Sequence, residues 1–301
     1  MTMAPERREV TLAHELVREA RPRQWIKNLL VFAAPGAAGV LDSGSALWRT
    51  IVTFLALCLA ASGTYFLNDV ADVEADRRHP TKRLRPVAAG TVPVPLATIV
   101  GVGLLGGSLV VAASTRRWQV VVVVAIYIAL TLAYSAWLKH IAVVDIVTVA
   151  TGFVLRAIAG AVAVDVPMSN WFLICISFGS LFIVTGKRYA ELREFGDDAA
   201  NLRPSLDGYS VTYLRFVLGV AASVTLLSYC LWAFEKARVA DTSWPMYQLS
   251  IVPMATALLR YGLVLDQGHG GAPEEVFLSD RALQALALIW VVTFALGVYL
   301  A

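Results

Sequence analysis

Long apolar runs fill most of the chain, and short charged stretches separate them. An α-helix needs about 20 predominantly apolar residues to cross the hydrocarbon core of a bilayer. Nine runs approach that length, at roughly 24–40, 47–67, 93–114, 118–138, 141–163, 170–186, 210–234, 246–265 and 282–300. The pattern predicts an all-α polytopic membrane protein, a bundle of about nine transmembrane helices forming a single domain over residues 1–301.

Composition supports this class. Of the 301 residues, 58% are hydrophobic and 16% are charged, whereas charged residues make up about a quarter of a soluble domain. The net charge of +3 indicates no nucleic-acid partner, because the basic residues lie between apolar runs, where membrane topology places them. The three cysteines lie inside apolar runs and show no metal-ligand spacing.

The distribution of Lys and Arg predicts the orientation. Basic clusters precede the first span and follow the second and the sixth, so nine spans place all three on the cytoplasmic side of the inner (plasma) membrane. The N-terminal segment 1–23 and the loops 68–92 and 187–209 are then cytoplasmic, and the C-terminus is outside. Because both loops are long and charged, we expect the functional site there.

Four oxygen-bearing side chains, Asn68, Asp69, Asp72 and Asp76, follow the second span. On one continuous helix, the three aspartates share a face, where their charges repel. Mg²⁺ prefers oxygen ligands and is commonly held by one or two carboxylates together with phosphate oxygens of a substrate. We therefore predict a Mg²⁺ site, with a solvated helix end as the alternative.

Basic side chains follow this acidic motif and recur near other span ends. The candidates for phosphate binding are Lys82, Arg83, Arg85, Lys187 and Arg188, with Tyr134 and Lys139 at the end of the fourth span. Guanidinium groups match the geometry of phosphate oxygens. The alternatives are the ordinary excess of cytoplasmic cations and, for Tyr134 and Lys139, anchoring at the membrane interface.

Further polar candidates lie within or at the ends of predicted spans. Arg156 is in mid-span, where an arginine costs at least ~2.5 kcal/mol and needs an anion or a polar cavity. The alternatives are snorkelling and an ion pair with Asp145 or Asp165. Gln24, Lys27 and Asn28 open the first span and are predicted to share one helical face, with interfacial anchoring as the alternative; Glu191 follows the sixth span.

The acidic motif, which reads Asn-Asp-Val-Ala-Asp-Val-Glu-Ala-Asp over residues 68–76, resembles the first motif of the UbiA superfamily of intramembrane prenyltransferases. The span count and the two long loops match that family as well. The resemblance implies a UbiA-type bundle in which Asn68, Asp69, Asp72 and Asp76 hold Mg²⁺ and carry catalysis.

Two stretches depart from the usual family pattern. The second acidic motif is replaced by Gly-Lys-Arg-Tyr-Ala-Glu-Leu at 186–192, and residues 21–28 read Arg-Pro-Arg-Gln-Trp-Ile-Lys-Asn. Both are similar to a branch that transfers 5-phosphoribose from phosphoribosyl pyrophosphate to decaprenyl (polyprenyl) phosphate, making a precursor of the cell-wall arabinan donor.

The branch handles three anionic groups, which fits the replacement of acids by Lys187 and Arg188. It implies donor-phosphate binding by Lys82, Arg83, Arg85, Lys187, Arg188, Tyr134 and Lys139. It implies contact with the acceptor phosphate or the ribose by Gln24, Lys27, Asn28, Arg156 and Glu191.

Two other functions remain open at this point: an aromatic polyprenyltransferase of quinone or haem biosynthesis, and a transporter of lipids or small molecules. A complete second acidic motif would favour the first. Polar groups reaching the outer face would favour the second, whereas the charged clusters are one-sided. Lipid length and homo-oligomerisation are left open.

Overall fold

A computed structural model describes residues 11–196, 204–240, 244–268 and 273–299. In chain order, the α-helices in these ranges are α1 Leu12–Ala20, α2 Ala33–Ala37, α3 Gly44–Ala71, α4 Val73–Arg78, α5 Pro86–Ala89, α6 Val94–Ala113, α7 Trp118–Ala136, α8 Val144–Val164, α9 Asn170–Phe195, α10 Val211–Val239, α11 Met246–Leu249, α12 Ile251–Asp266, α13 Pro273–Ser279 and α14 Arg281–Tyr299. Short 3₁₀ turns span Lys82–Leu84, Leu138–His140 and Pro204–Gly208.

The described residues contain eight helical spans long and apolar enough to cross a membrane: α3, α6, α7, α8, α9, α10, the pair α11 and α12, and α14. They coincide with eight of the nine predicted spans, so the prediction of a polytopic helical bundle is confirmed. α3 packs mainly on α6, and α9 mainly on α10.

The first predicted span folds differently. It is a 3₁₀ segment, Pro22–Phe32, that continues into the short helix α2. A 3₁₀-helix rises about 2.0 Å per residue, against about 1.5 Å for an α-helix. The eleven 3₁₀ residues and five α-helical residues therefore extend for about 30 Å, close to the thickness of the hydrocarbon core.

The 3₁₀ segment is fixed by close contact with two long helices. In a 3₁₀-helix, residues three apart are eclipsed, so Trp25, Asn28 and Val31 form one row. Asn28 and Val31 are fully buried, and Asn28 Nδ2 lies 3.2 Å from Cys58 Sγ on α3. A Cβ at Gly160 of α8 would overlap the Val31 carbonyl oxygen. Only glycine lets the segment approach α8 this closely.

α8 lies between two apolar cores. On one side, Ile146 packs with buried residues of α9, α10, α12, α13 and α14, among them Phe182, Leu214, Leu265 and Leu283. On the other, Leu155 packs with buried residues of the 3₁₀ segment, α3 and α7, among them Val31, Leu57 and Val124. Polar side chains on α8 are therefore held in the middle of the bundle.

Both predicted functional loops contain more helix than expected. Residues 68–92 include the end of α3, α4, a 3₁₀ turn and α5. In the predicted loop 187–209, α9 continues to Phe195, and Gly196, with φ +51°, follows it. The prediction that this loop begins at 187 was wrong, because the helix continues through Gly186 and no Gly or Pro follows until Gly196. Residues 197–203 of that loop, 1–10 of the N-terminal segment and 300–301 lie outside the described residues.

Candidate active site

The helix that carries the acidic motif is interrupted at Asp72. This residue has φ −92° and ψ 6°, outside the α-helical region, and it separates α3 from α4. Arg85 Nη1 lies 3.1 Å from Asp69 Oδ1 and 2.7 Å from Asp76 Oδ2. Asp72 pairs instead with Lys139 Nζ, at 3.1 Å. The prediction that the three aspartates share one helical face was wrong, because the helix does not continue through Asp72.

Asp69 is the centre of the acidic cluster and is only 1% exposed. Besides Arg85, it accepts a hydrogen bond from Arg21 Nη2 and a long one, 3.4 Å, from Asn68 Nδ2. Arg21 ends α1 with φ +53°, in the left-handed region. Arg21 opens the stretch 21–28 that resembles the branch, but no site role was predicted for it.

A fourth carboxyl, Glu19 of α1, lies beside Asp69 and is 1% exposed. Burial and the adjacent Asp69 carboxyl raise the pKa of Glu19 to about 8. Neither of its oxygens accepts a hydrogen bond from a donor within the described part of the chain, whereas its protonated form can donate one to Asp69. The sequence analysis missed this residue as well, because its position depends on how α1 packs against α3.

Two carboxylates of the acidic cluster, those of Asp69 and Asp76, can bind the same cation. One nitrogen of Arg85 already contacts both Asp69 and Asp76, so these two carboxylates can face a single positive charge. Among the described residues, no three His, Cys, Asp or Glu side chains form a metal-binding group by themselves. A Mg²⁺ ion here fits two carboxylates supplemented by substrate phosphate oxygens and water, which is its usual mode of binding.

A second part of the candidate site is a cavity of about 450 Å³. Its polar lining is Lys27, Tyr134, Lys187 and Arg188. Lys27 Nζ donates a hydrogen bond to Gln24 Oε1, three residues earlier, as the eclipsed 3₁₀ geometry allows. Asn28 points elsewhere, into the bundle, so the predicted common face of Gln24, Lys27 and Asn28 was wrong.

Arg188 lines this cavity but is strongly neutralised. Its guanidinium group is buried and donates to Asp145 Oδ2 at 2.8 Å, Glu191 Oε2 at 2.9 Å and Tyr134 OH at 3.3 Å. Two carboxylates balance its charge, so Arg188 fixes its neighbours more than it offers a free cation. The same contact occupies Glu191, which was expected at the acceptor or the ribose.

Asp145 connects α8 to the chain before α10. It is fully buried and accepts from Arg188, from Ser205 Oγ at 3.1 Å and from the Tyr209 hydroxyl. Burial and the hydrogen bond to Asp145 raise the pKa of Tyr209. The sequence analysis considered Asp145 only as a partner for Arg156.

Arg156 is 7% exposed and lies in a neutral polar setting. It donates to Asn28 Oδ1 at 2.7 Å, to the Gly152 carbonyl at 2.6 Å and to Tyr127 OH at 2.9 Å. Its guanidinium carbon is 4.7 Å from the centre of the Tyr127 ring, close enough for a cation–π interaction.

The predicted ion pairs of Arg156 do not form. Asp145 pairs with Arg188, and Asp165 pairs with Arg117 at 3.1 Å. Arg156 lines neither of the two cavities described, so its contact with Asn28 holds the 3₁₀ segment against α8.

The lysine-lined cavity adjoins a larger, apolar one of about 800 Å³. Phe153 and Ile183 line both. Aromatic side chains surround the apolar cavity, including Phe32, Phe172, Trp232, Trp290 and Phe294. A polar end with two lysines therefore leads into a long apolar space.

The remaining basic candidates differ in position. Arg85 reaches the acidic cluster, whereas Arg83 is exposed and Lys82 is half-buried in the adjacent 3₁₀ turn. The end of α7 and the 3₁₀ turn that follows it contact both parts of the site. Tyr134 of α7 bonds to Arg188, and Lys139 of the turn pairs with Asp72.

An acidic cluster held by arginines, beside a lysine-lined cavity that leads into an apolar space, defines a membrane protein with a site for anionic, lipid-linked ligands. The chain matches the UbiA prenyltransferase family over residues 29–292 and belongs to that family.

Two curated relatives are similar over nearly their whole lengths. The decaprenyl-phosphate phosphoribosyltransferase of Corynebacterium glutamicum is 45% identical over 292 residues, covering 96% of this chain and 88% of that protein. The enzyme of the same name from Mycobacterium tuberculosis is 47% identical over 287 residues, covering 94% of each. A solved UbiA homologue from Archaeoglobus fulgidus, bound to GPP and Mg²⁺, has a TM-score of 0.71 at 18% identity, covering 94% of this chain and 98% of that one. That likeness shows the fold.

Proposed function

We propose that this protein is a phosphoribosyltransferase that moves 5-phosphoribose from phosphoribosyl pyrophosphate to decaprenyl (polyprenyl) phosphate and releases pyrophosphate. Its product would be the precursor of a cell-wall arabinan donor. The names and high coverage of the relatives support this. The observation that carries the proposal is the adjacent pair of cavities, which suits an acceptor with an anionic head and a long apolar chain.

The acceptor phosphate binds between Lys27 and Lys187, and the polyprenyl chain extends past Phe153 into the apolar cavity. The sequence analysis had assigned Lys187 to the donor. Its place on the cavity that joins the apolar space favours the acceptor instead. Arg188 and Tyr134 hold the wall of this cavity through their mutual hydrogen bond.

The donor diphosphate binds at the acidic cluster. Asp69 and Asp76 would hold Mg²⁺ there, with Asn68 and Asp72 beside them. Arg21 and Arg85, already within hydrogen-bond distance of these acids, supply guanidinium groups for phosphate oxygens. Lys82, Arg83 and Lys139 add positive charge around the donor.

The transfer is a displacement at C1 of the ribose. The bond from C1 to the diphosphate oxygen breaks, and its electron pair leaves with pyrophosphate. An oxygen of the lipid phosphate forms the new bond from the opposite face, with inversion. That phosphate is already ionised at neutral pH, so no residue has to act as a general base. A bound divalent cation would neutralise charge on the leaving group, and Arg21 and Arg85 do so from the protein side.

The protein is placed in the plasma membrane with the site facing the cytoplasm, where phosphoribosyl pyrophosphate would be available, and with its C-terminus outside. The basic clusters near the acidic motif support this orientation through the positive-inside rule. Homo-oligomerisation is not part of the proposal.

A direct assay tests the function. Purified protein in detergent is given phosphoribosyl pyrophosphate, a polyprenyl phosphate and Mg²⁺, and lipid products are identified by mass spectrometry. We expect a polyprenyl phosphoribosyl phosphate and an equal amount of pyrophosphate, both abolished by EDTA and restored by Mg²⁺. Prenylation of 4-hydroxybenzoate from a prenyl diphosphate, with no phosphoribosyl lipid formed, would refute the proposal.

A further inference from the structure

α1 turns two carboxyl groups, Glu15 and Glu19, toward the protein interior. Glu15 has ordinary partners: Thr91 Oγ1 donates to it at 2.9 Å, and Arg18 lies 3.6 Å away. Glu19, one helical turn further on, has no hydrogen-bond donor for either oxygen among the residues that the structure describes. Leaving buried acceptors unpaired is costly.

The surroundings of Glu19 supply too little positive charge. Its neighbour Asp69 takes one hydrogen bond from Arg21 and one from Arg85. Arg85 also serves Asp76. Two guanidinium groups thus face three carboxyl groups, and the one that accepts no hydrogen bond from either of them is Glu19.

When Asp69 and Glu19 are both ionised around a divalent cation, the two oxygens of Glu19 need hydrogen-bond donors. Mg²⁺ usually retains several of its water ligands, and a water bound to a cation is a strong donor. Since no three acids in the described ranges form a metal-binding group unaided, a metal-bound water accounts better for Glu19 than direct ligation does.

We propose that Glu19 is a positioning residue of the metal site, whose carboxylate accepts a hydrogen bond from a water on the divalent cation that Asp69 holds. This rests on the proposed function in so far as Asp69 binds that cation. Glu19 thereby extends the metal site from the acidic motif to α1.

The test is Mn²⁺ binding, followed by electron paramagnetic resonance, to the full-length protein in detergent with and without inorganic pyrophosphate. Changes to residues that orient metal ligands typically cost about 10–100-fold in metal affinity. We expect Glu19→Gln to weaken Mn²⁺ binding by at least about 10-fold. Glu15→Gln, a buried carboxyl on the same helix, is the matched control and should stay within about twofold of the wild type.

The Glu19→Gln variant also separates this role from a purely structural one. If Glu19 only donates a proton to Asp69, the amide group of the variant can make the same donation. Mn²⁺ affinity of Glu19→Gln equal to that of the wild type therefore overturns the proposal for Glu19 while leaving the metal site intact. A wild type that binds no Mn²⁺ overturns the metal site of the proposed function and Glu19 with it.

A second variant covers the case in which Glu19→Gln does not fold. Glu19→Asp keeps the charge but withdraws the carboxylate by one methylene, and we expect its Mn²⁺ affinity to fall by at least about threefold. Unchanged affinity in Glu19→Asp, at a melting temperature near that of the wild type, would count against the proposal.

Discussion

At the scale of single residues, Asp72 has a role that its neighbours cannot share. It lies in the break between α3 and α4 and directs its carboxylate to Lys139, whereas Asp69 and Asp76 meet at Arg85. The interruption separates the acidic side chains. Asp69 and Asp76 face Arg85, whereas Asp72 faces Lys139 in the 3₁₀ turn after α7. Asp72 therefore connects the donor half of the site to the helix that carries Tyr134.

Replacing Asp72 by alanine should reduce the transfer rate by about 10–100-fold, because a carboxylate beside the metal ligands and the tether of Lys139 are lost together. Asp165→Ala is the control, since Asp165 is an exposed carboxylate paired with Arg117, away from the acidic motif. Initial rates at saturating Mg²⁺ provide the measurement. Full activity in Asp72→Ala would remove this residue from the site.

Tyr209 links the backbone before α8 to a buried acid. Its hydroxyl accepts from the Val143 backbone N–H and donates to Asp145. Val143 has φ +67°, an unusual conformation for a β-branched residue. The tyrosine therefore holds a strained turn next to the Arg188 network.

Tyr209→Phe should lower the free energy of unfolding by about 1–3 kcal/mol, because the Val143 N–H and the buried carboxylate of Asp145 each lose a hydrogen-bond partner. Tyr213→Phe, whose ring stacks on that of Tyr209 at 6.0 Å but is more exposed, should change it little. Unfolding in detergent at fixed protein concentration measures both variants. Equal stability of Tyr209→Phe and the wild type would show that the hydroxyl group is dispensable.

At the scale of elements, the 3₁₀ segment decides where Lys27 points. Asn28 bonds to Arg156 on one side, and Lys27, the preceding residue, lines the lysine-lined cavity. Successive residues of a 3₁₀-helix are about 120° apart. Holding Asn28 against α8 therefore orients Lys27 toward the acceptor.

Gly160→Ala tests this packing. Its new methyl group would overlap the Val31 carbonyl, forcing the segment away from α8. Overpacking of this kind typically costs about 1–3 kcal/mol, and we expect a lower melting temperature together with a raised KM for the acceptor. Gly106→Ala on α6 is the matched control, since nothing lies within 4 Å of its Cβ position. A Gly160→Ala protein as stable and active as Gly106→Ala would contradict the close approach.

The sequence predicted the helical spans better than it predicted the contacts between side chains. Eight spans follow from apolar length alone, because lipid admits few other structures. The 3₁₀ geometry of Pro22–Phe32 did not follow, since a short segment with polar residues does not distinguish a period of 3.0 from one of 3.6. The partners of Asp69 and Arg188 did not follow either. Arg21 lies 48 residues before Asp69, and Asp145 lies 43 residues before Arg188, so only tertiary packing brings each pair together.

At the scale of the whole molecule, the cavities run from a charged end into the apolar interior of the bundle. Lys27 and Lys187 mark the charged end, and Phe153 and Ile183 join the two spaces. In the proposed function, this arrangement holds the acceptor phosphate beside Lys27 and Lys187 while its chain stays among apolar side chains.

Filling the apolar cavity should discriminate among acceptors by chain length. Gly179 lines that cavity, and its Cβ position is 3.5 Å from Thr225, so a phenylalanine there would project into the space. We expect Gly179→Phe to raise the KM for decaprenyl phosphate by at least about 10-fold, because the ring displaces several methylene groups of the lipid at about 0.8 kcal/mol each. The KM for a short-chain acceptor should rise less. Gly219→Phe, at an exposed glycine with nothing within 4 Å of its Cβ position, should leave both unchanged. Equal losses for long and short acceptors would argue against a chain in this cavity.

The central claim is that the site has two halves, with the donor at the acidic cluster and the acceptor at the lysine-lined cavity. The most direct measurement compares the KM values of both substrates in Arg85→Ala and Lys187→Ala. We predict that Arg85→Ala mainly raises the KM for phosphoribosyl pyrophosphate and that Lys187→Ala mainly raises the KM for polyprenyl phosphate. The reverse ranking, with Lys187→Ala weakening the donor more than the acceptor, would contradict this division of the site.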